Sequence, residues 1–220
     1  MRALLDVVAP IRCVGCTSPC GDELCERCAQ FVDVLTPPIC ERCGAPGIGP
    51  TCCRNLEGFR RARSVVAFVE PARALTLALK RRGRRPLAYA LGDLLAALAD
   101  KHDLRADSVT FVPAGRTAGR RGFDHAELIA RAAASSLGLP ARALLVRTED
   151  GPRQADVAFA ERRSNVRNRF AAEAARGRLL VVDDVFTTGA TAEACSLALR
   201  AAGAETVDVV TWARTLRRRF

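Results

Sequence analysis

At 220 residues and 23.6 kDa, the chain is long enough for one medium domain and a small module. Its 49% hydrophobic and 26% charged residues permit a packed core and exclude wholesale disorder. No apolar run reaches the roughly 18–20 residues that span a bilayer. The opening MRALLDVVAPIRC carries Asp6 and no signal-peptide core, so a cytoplasmic protein without membrane insertion is expected. The formal charge of +10 comes almost wholly from arginine, Lys80 and Lys101 being the two lysines. Such an excess suits phosphate, diphosphate or nucleic-acid partners. It also suits a merely solvated surface in a chain rich in Arg and Ala. Aromatic residues are only 5%, too few for a broad base-stacking platform.

Nine of the ten cysteines precede residue 54. Cys13-x2-Cys16-x8-Cys25-x2-Cys28 is followed by Cys40-x2-Cys43-x8-Cys52, and a shift of 27 residues superimposes the first three ligands of each set. The fourth would fall on Asn55, with the adjacent Cys53 as the available substitute. Cys-x2-Cys turns bring two thiolates to two corners of a zinc tetrahedron. A head of about 55 residues with few large apolar side chains needs that metal to fold. One or two structural zinc ions are expected on Cys13, Cys16, Cys25, Cys28, Cys40, Cys43, Cys52 and Cys53. The spacing is compatible with pairing within each repeat and with an interleaved ribbon joining Cys13/Cys16 to Cys40/Cys43. All-Cys ligation leaves no open position for a catalytic water. Cys20 and Cys195 stand outside the repeat.

From residue 59 the texture alternates between strands and helices. A strand is predicted over 64–69, a helix over 72–82 stopped by Gly83, and a second helix over 87–101. A short strand follows at 109–112, a helix at 123–137 closed by Gly138, and a strand at 144–146. The apolar run at 179–182 reads as a strand buried on both faces, followed by a helix over 191–202 and a last strand over 207–212. Alternation of this kind predicts a parallel sheet with right-handed crossovers and ligands at the strand C-termini.

One such end carries LLVVDDVFTTGAT, residues 179–191. The strand delivers Asp183 and Asp184 into a small, hydroxyl-rich loop that opens a helix. Free backbone N–H groups and threonine hydroxyls there form a cradle for phosphate, and Gly189 allows close approach. A carboxylate pair beside a phosphate cradle suits a sugar phosphate, whose hydroxyls donate to the acids.

This segment resembles the phosphoribosyl diphosphate (PRPP) loop of type I phosphoribosyltransferases. Residues 154–167 (QADVAFAERRSNVR) resemble the flexible loop of amidophosphoribosyltransferases. The cysteine head, ALKRRGRR (78–85), the strand at 109–113, RRGFDHAELIA (120–130) and the acidic loop, in that order, resemble the ComF family along essentially the whole chain. Its members are competence-associated proteins with a zinc ribbon fused to a phosphoribosyltransferase-like domain. The resemblance implies an α/β fold, a type I phosphoribosyltransferase-like parallel sheet flanked by helices, at 59–220 behind a zinc ribbon at 1–58. It implies that Asp183 and Asp184 act as the catalytic acids and hold the ribose hydroxyls, and that Thr187, Thr188, Gly189, Ala190 and Thr191 hold the 5-phosphate. Gly115, Arg116, Arg120 and Arg121 would contact diphosphate, although AGRT (114–117) departs from the family's usual Leu-His-Pro after Pro113. Thr187 stands where hypoxanthine-guanine-type enzymes place a carboxylate, which argues against purine salvage. His125 falls on a family position usually held by a neutral amide and is not expected to be a base. Mg²⁺ is expected with PRPP. Two functions follow as expectations: single-stranded DNA handling in concert with the DNA-uptake machinery, or phosphoribosyl transfer from PRPP to an acceptor.

Overall fold

The computed structural model describes residues 11–47, 52–82, 85–115, 124–148 and 169–216. Its elements in chain order are α1 (Glu26–Ala29), β1 (Ala62–Ala67), α2 (Ala72–Arg82), α3 (Arg85–Lys101), β2 (Ser108–Phe111), α4 (His125–Leu137), β3 (Leu145–Arg147), β4 (Phe170–Ala172), β5 (Arg178–Phe186), α5 (Ala190–Ala201) and β6 (Thr206–Arg214).

A four-stranded sheet runs in the order β1-β6-β5-β2, and all three of its pairings are parallel. β5 and β6 are its centre, with Leu179, Leu180, Val181 and Val182 at 0–1% exposure. Helices cover both faces. Leu180, Val182, Val109 and Val210 pack with α2, α3 and α4, whereas Leu179, Val181, Val207 and Val209 pack with α5. Alternate residues of one strand therefore serve opposite layers, which is why the strand reads as an unbroken apolar run.

Several element ends move by one or two residues, and three larger expectations change for local reasons. β5 continues to Phe186, so Asp183 and Asp184 lie on the strand rather than in a loop after it. α4 begins at His125 instead of residue 123, because Asp124 is its N-cap and accepts from the N–H groups of Ala126 (2.9 Å) and Glu127 (3.4 Å). The strand expected at 144–146 is not part of the parallel sheet. As β3 it pairs antiparallel with β4, which carries no alternation long enough to announce itself.

The cysteine repeat is also a structural repeat. Arg12 bridges Pro19 as Ile39 bridges Pro46, and the Cys13 and Cys40 carbonyls accept from Thr17 N (2.9 Å) and Gly44 N (2.8 Å), again 27 residues apart. Thr17 and Gly44 share positive φ, 63° and 69°. Only the second must be glycine for space, since a Cβ on Gly44 would stand 2.7 Å from the Ala62 carbonyl oxygen of β1. The head is thus seated on the sheet edge. Leu35 N donates to Val65 O (2.9 Å), and Ala67 N donates to Asp33 O (2.8 Å).

Candidate functional site

Consecutive strand residues point to opposite faces. At the C-terminal end of β5, Asp184 follows Leu180 and Val182 toward α2 and α4. There it pairs with the Lys80 ammonium and lies 3.7 Å from His125 Nε2. Asp183 follows Leu179 and Val181 toward α5, where it lines a recess with Thr187, Gly189 and Thr191. A contiguous DD at a strand end thus addresses two walls of one site. Asp184 is 7% exposed, and its charge is matched by Lys80. Desolvation and the neighbouring Asp184 push the Asp183 carboxyl well above the usual carboxylate range, against a smaller pull from Lys80.

Both acids open into a solvent-accessible cleft lined also by Lys80, Pro113, Gly115, His125, Arg147 and Thr191. The loop after β2 is fixed from two sides. Asp124 Oδ2 accepts from Ala114 N (2.7 Å) while its other oxygen caps α4, and Arg147 Nε donates to Pro113 O (2.8 Å). On the opposite wall, Gly189 (φ 86°) is the N-cap of α5, and Ala190 N donates to Thr188 Oγ1 (3.3 Å). Thr187 and Thr188 are exposed. The first-turn N–H groups of a twelve-residue helix thus open beside Asp183, a favourable place for a phosphate.

Of the expected site residues, Asp183, Asp184, Gly189, Thr187 and Thr191 come together, and Gly115 faces Asp183 and Asp184 across the cleft. Arg116, Arg120 and Arg121, and the 154–167 segment, lie outside the described residues. Lys80, His125 and Arg147 belong to the cleft without being marked as its members by the sequence. Lys80 stands within an arginine-rich run, and only the packing of α2 against the sheet shows that it faces Asp184. Arg147 lies over the Phe170 ring at 4.8 Å, a contact between β3 and β4 that no sequence pattern pairs.

The eight cysteines form two separate groups, Cys13/Cys16/Cys25/Cys28 and Cys40/Cys43/Cys52/Cys53, each with its sulfurs within 4.8 Å of one another. Pairing is therefore within each repeat, and Cys53 takes the fourth place in the second. Four sulfurs about 2.3 Å from a tetrahedral zinc lie about 3.8 Å apart. The observed separations are 3.7 Å for Cys16–Cys25, 3.8 Å for Cys40–Cys53, 3.5 Å for Cys43–Cys52 and 3.9 Å for Cys52–Cys53. Hydrogen bonds from Ser18 pull the Cys16 thiol down to about 5. Cys40 is held at about 6: its burial pushes upward, but hydrogen bonds from Cys43, Cys52 and Arg42 together outweigh it. These two favour the thiolate that binds metal, whereas burial and the neighbouring sulfurs push Cys28 up to about 12 and Cys53 up to about 11 and also raise Cys52. Two four-cysteine groups of this geometry can hold two zinc ions.

No protein-family model matches the sequence. Two solved structures match at 28% identity over 57% of this chain and 26% of theirs. One is described as the allosteric regulatory enzyme of purine biosynthesis (TM-score 0.41), the other as glutamine phosphoribosylpyrophosphate amidotransferase from B. subtilis complexed with ADP and GMP (0.42). Adenine phosphoribosyltransferase from Leishmania tarentolae matches at 17% identity over 70% of this chain and 78% of its own, with a TM-score of 0.38. Among curated proteins, DNA utilization protein YhgH of Salmonella typhimurium is 31% identical over 208 residues, 88% of this chain and 91% of its own. Its namesake in Escherichia coli O157:H7 is 32% identical over 210 residues, 88% and 90% of the two chains. At that identity over 88% of its length, the chain belongs to the ComF-like family of the DNA utilization proteins YhgH.

Proposed function

We propose that the protein is a ComF-like DNA-handling protein whose body, residues 59–220, binds PRPP or a related ribose phosphate behind a zinc-ribbon module at 1–58. The observation that carries the reading is the division of the β5 acids. Asp183 lies beside the N-terminus of α5 and Asp184 on the side of α2 and α4, so a ribose could span from the phosphate cradle to both carboxylates. Asp183 and Asp184 would accept from ribose hydroxyls, and Thr187 to Thr191 would surround the 5-phosphate. Lys80, Arg147 and the Pro113–Gly115 loop line the side on which a diphosphate would lie. The oxygen donors of the cleft suit Mg²⁺, which would arrive with the diphosphate and supply charge neutralisation.

The relatives' name, DNA utilization protein, supports a role with DNA, and the +10 charge suits a polyanionic partner; we place that role in DNA uptake and single-strand handling in the cytoplasm. Among the described residues no helix is long and apolar enough to cross a membrane. Phosphoribosyl transfer to an acceptor is a second reading, favoured by the open cleft beyond the acids. It would be displacement at C1, with Lys80 and Arg147 placed to stabilise departing diphosphate.

Calorimetric titration with PRPP and Mg²⁺ tests the first reading. Wild type should give a saturable heat that Asp183→Asn/Asp184→Asn abolishes. Unchanged heats in the double variant would overturn it.

A further inference from the structure

The second cysteine cluster is connected to the phosphate cradle by two routes. In the first, Arg214, the last residue of β6 and 6% exposed, donates from Nη1 to the Cys43 carbonyl and lies over the Phe186 ring at 4.7 Å. Phe186 in turn supports Gly189, where an added Cβ would stand 2.7 Å from Phe186 Cζ and equally close to Leu56 Cδ1. The N-cap of α5 therefore rests directly on these two side chains. The second route follows the chain. Leu56 N donates to Cys53 O (3.0 Å), and Glu57 N donates to Oε1 of Glu193 (3.1 Å), which is 2% exposed in the first turn of α5. Phe59, edge-on to Phe186 at 6.3 Å and 87°, fills the space between the routes.

Charge gives the arrangement a reason. Four thiolates around Zn²⁺ carry a net charge of about −2. Arg63 (3% exposed), whose Nη2 donates to the Glu41 carbonyl (2.8 Å), and Arg214 are two buried guanidiniums at that cluster. Buried charges require such partners.

We infer that the second cysteine cluster, when it holds zinc, positions the phosphate cradle of residues 187–191, with Arg214 and Phe186 as the positioning residues between them. This rests on reading that loop as a phosphate site. The first cluster serves as a built-in comparison. Its neighbours Val14 and Leu24 pack into the opposite layer, with α2, α3 and α4.

The test uses the full chain, zinc analysis, calorimetry with ribose 5-phosphate, and amide exchange over 189–192. Cys43→Ser/Cys52→Ser should weaken ribose 5-phosphate by about tenfold or more, within the usual range of coupling between sites. Cys13→Ser/Cys16→Ser should leave it within about twofold. Arg214→Gln, which removes no zinc ligand, should retain zinc in both clusters and still weaken binding and speed exchange at 189–192. Wild-type affinity and exchange in Arg214→Gln would overturn the coupling, as would equal losses from either pair of cysteine substitutions. If the wild type binds neither ribose 5-phosphate nor PRPP, the phosphate reading fails. The coupling is then decided by exchange alone: faster at 189–192 after loss of the second zinc, or unchanged and refuted.

Discussion

Lys80 of α2 and Asp184 of β5 form an ion pair across the layer boundary between helix and sheet, with the carboxylate side chain 9% and the lysine side chain 33% exposed. The pair sets the charge of the cleft floor. It also explains how β5 can carry an acid at a nearly buried position, since an unpaired carboxylate there would be forced toward its neutral form. Removing one partner deprives the other of this ion pair in a nearly buried setting, whereas removing both leaves two neutral groups. Lys80→Met should therefore destabilise by about 2 kcal/mol, below the range for fully buried pairs because the lysine is partly solvated. Lys80→Met/Asp184→Asn should recover at least about 1 kcal/mol of the summed single losses. Urea unfolding of the four proteins measures this, and strictly additive losses would mean that the pair is not coupled.

Asp124 supports two elements with one carboxylate, the start of α4 through Oδ1 and the Ala114 amide through Oδ2. Asp124→Ala should cost about 1–2 kcal/mol through the lost cap. It should also accelerate exchange of the Ala114 amide and weaken PRPP more than ribose 5-phosphate, because the loop lies on the diphosphate side. Asp124→Ser restores a cap without the second bond, so it should recover stability while leaving Ala114 exchange fast. If Asp124→Ser also restores slow exchange, the carboxylate does not hold the loop.

The parts legible in the sequence are those with a local cause. Period and stop signals place α2 at Ala72–Arg82, and 179–182 reads as a central strand because both of its faces are covered by helices. The 27-residue cysteine repeat survives as matching turns and bridges. What the sequence leaves open depends on contacts distant in the chain. Aspartate has poor strand propensity, so residues 183 and 184 look like the start of a loop, yet pairing with β6 carries the strand to Phe186. Spacing alone is compatible with both cysteine pairings, and the fold decides between them. Lys80 and His125 are 104 and 59 residues from Asp184, and only the packing of α2 and α4 on one face brings them to it.

Acid should act on the opposite end of the sheet. Asp107, just before β2, accepts from Arg178 N (2.8 Å) and pairs with Arg178 Nη2 (2.6 Å) at the start of β5. These hydrogen bonds pull its carboxyl from 3.8 to about 2. A depressed folded-state value stabilises the fold above the unfolded value and loses that contribution as pH falls through the folded one. The Asp107 contribution should thus be complete above about pH 4 and disappear on approach to pH 2. Asp107→Asn should show a shallower loss of melting temperature across that window than wild type. Identical slopes would show that the pair does not couple to folding.

The net charge of +10 yields a prediction that separates a nucleic-acid surface from a solvated one. Each phosphate neutralised on a single strand contributes about −0.7 to the slope of log affinity against log salt, so about four contacts lower affinity about fifty-fold between roughly 50 and 200 mM. Fluorescence anisotropy with a labelled oligothymidine should show a slope of that order, with Arg120→Ala/Arg121→Ala reducing it by about one contact for each phosphate-bound guanidinium lost. Because ribose phosphates are also anions, the same titration should be repeated with saturating PRPP. A common basic surface predicts competition that shrinks as salt rises, whereas separate sites predict that the slope is unchanged. A flat salt dependence would assign the arginine excess to solvation and leave the cleft at β5 as the chain's anion site.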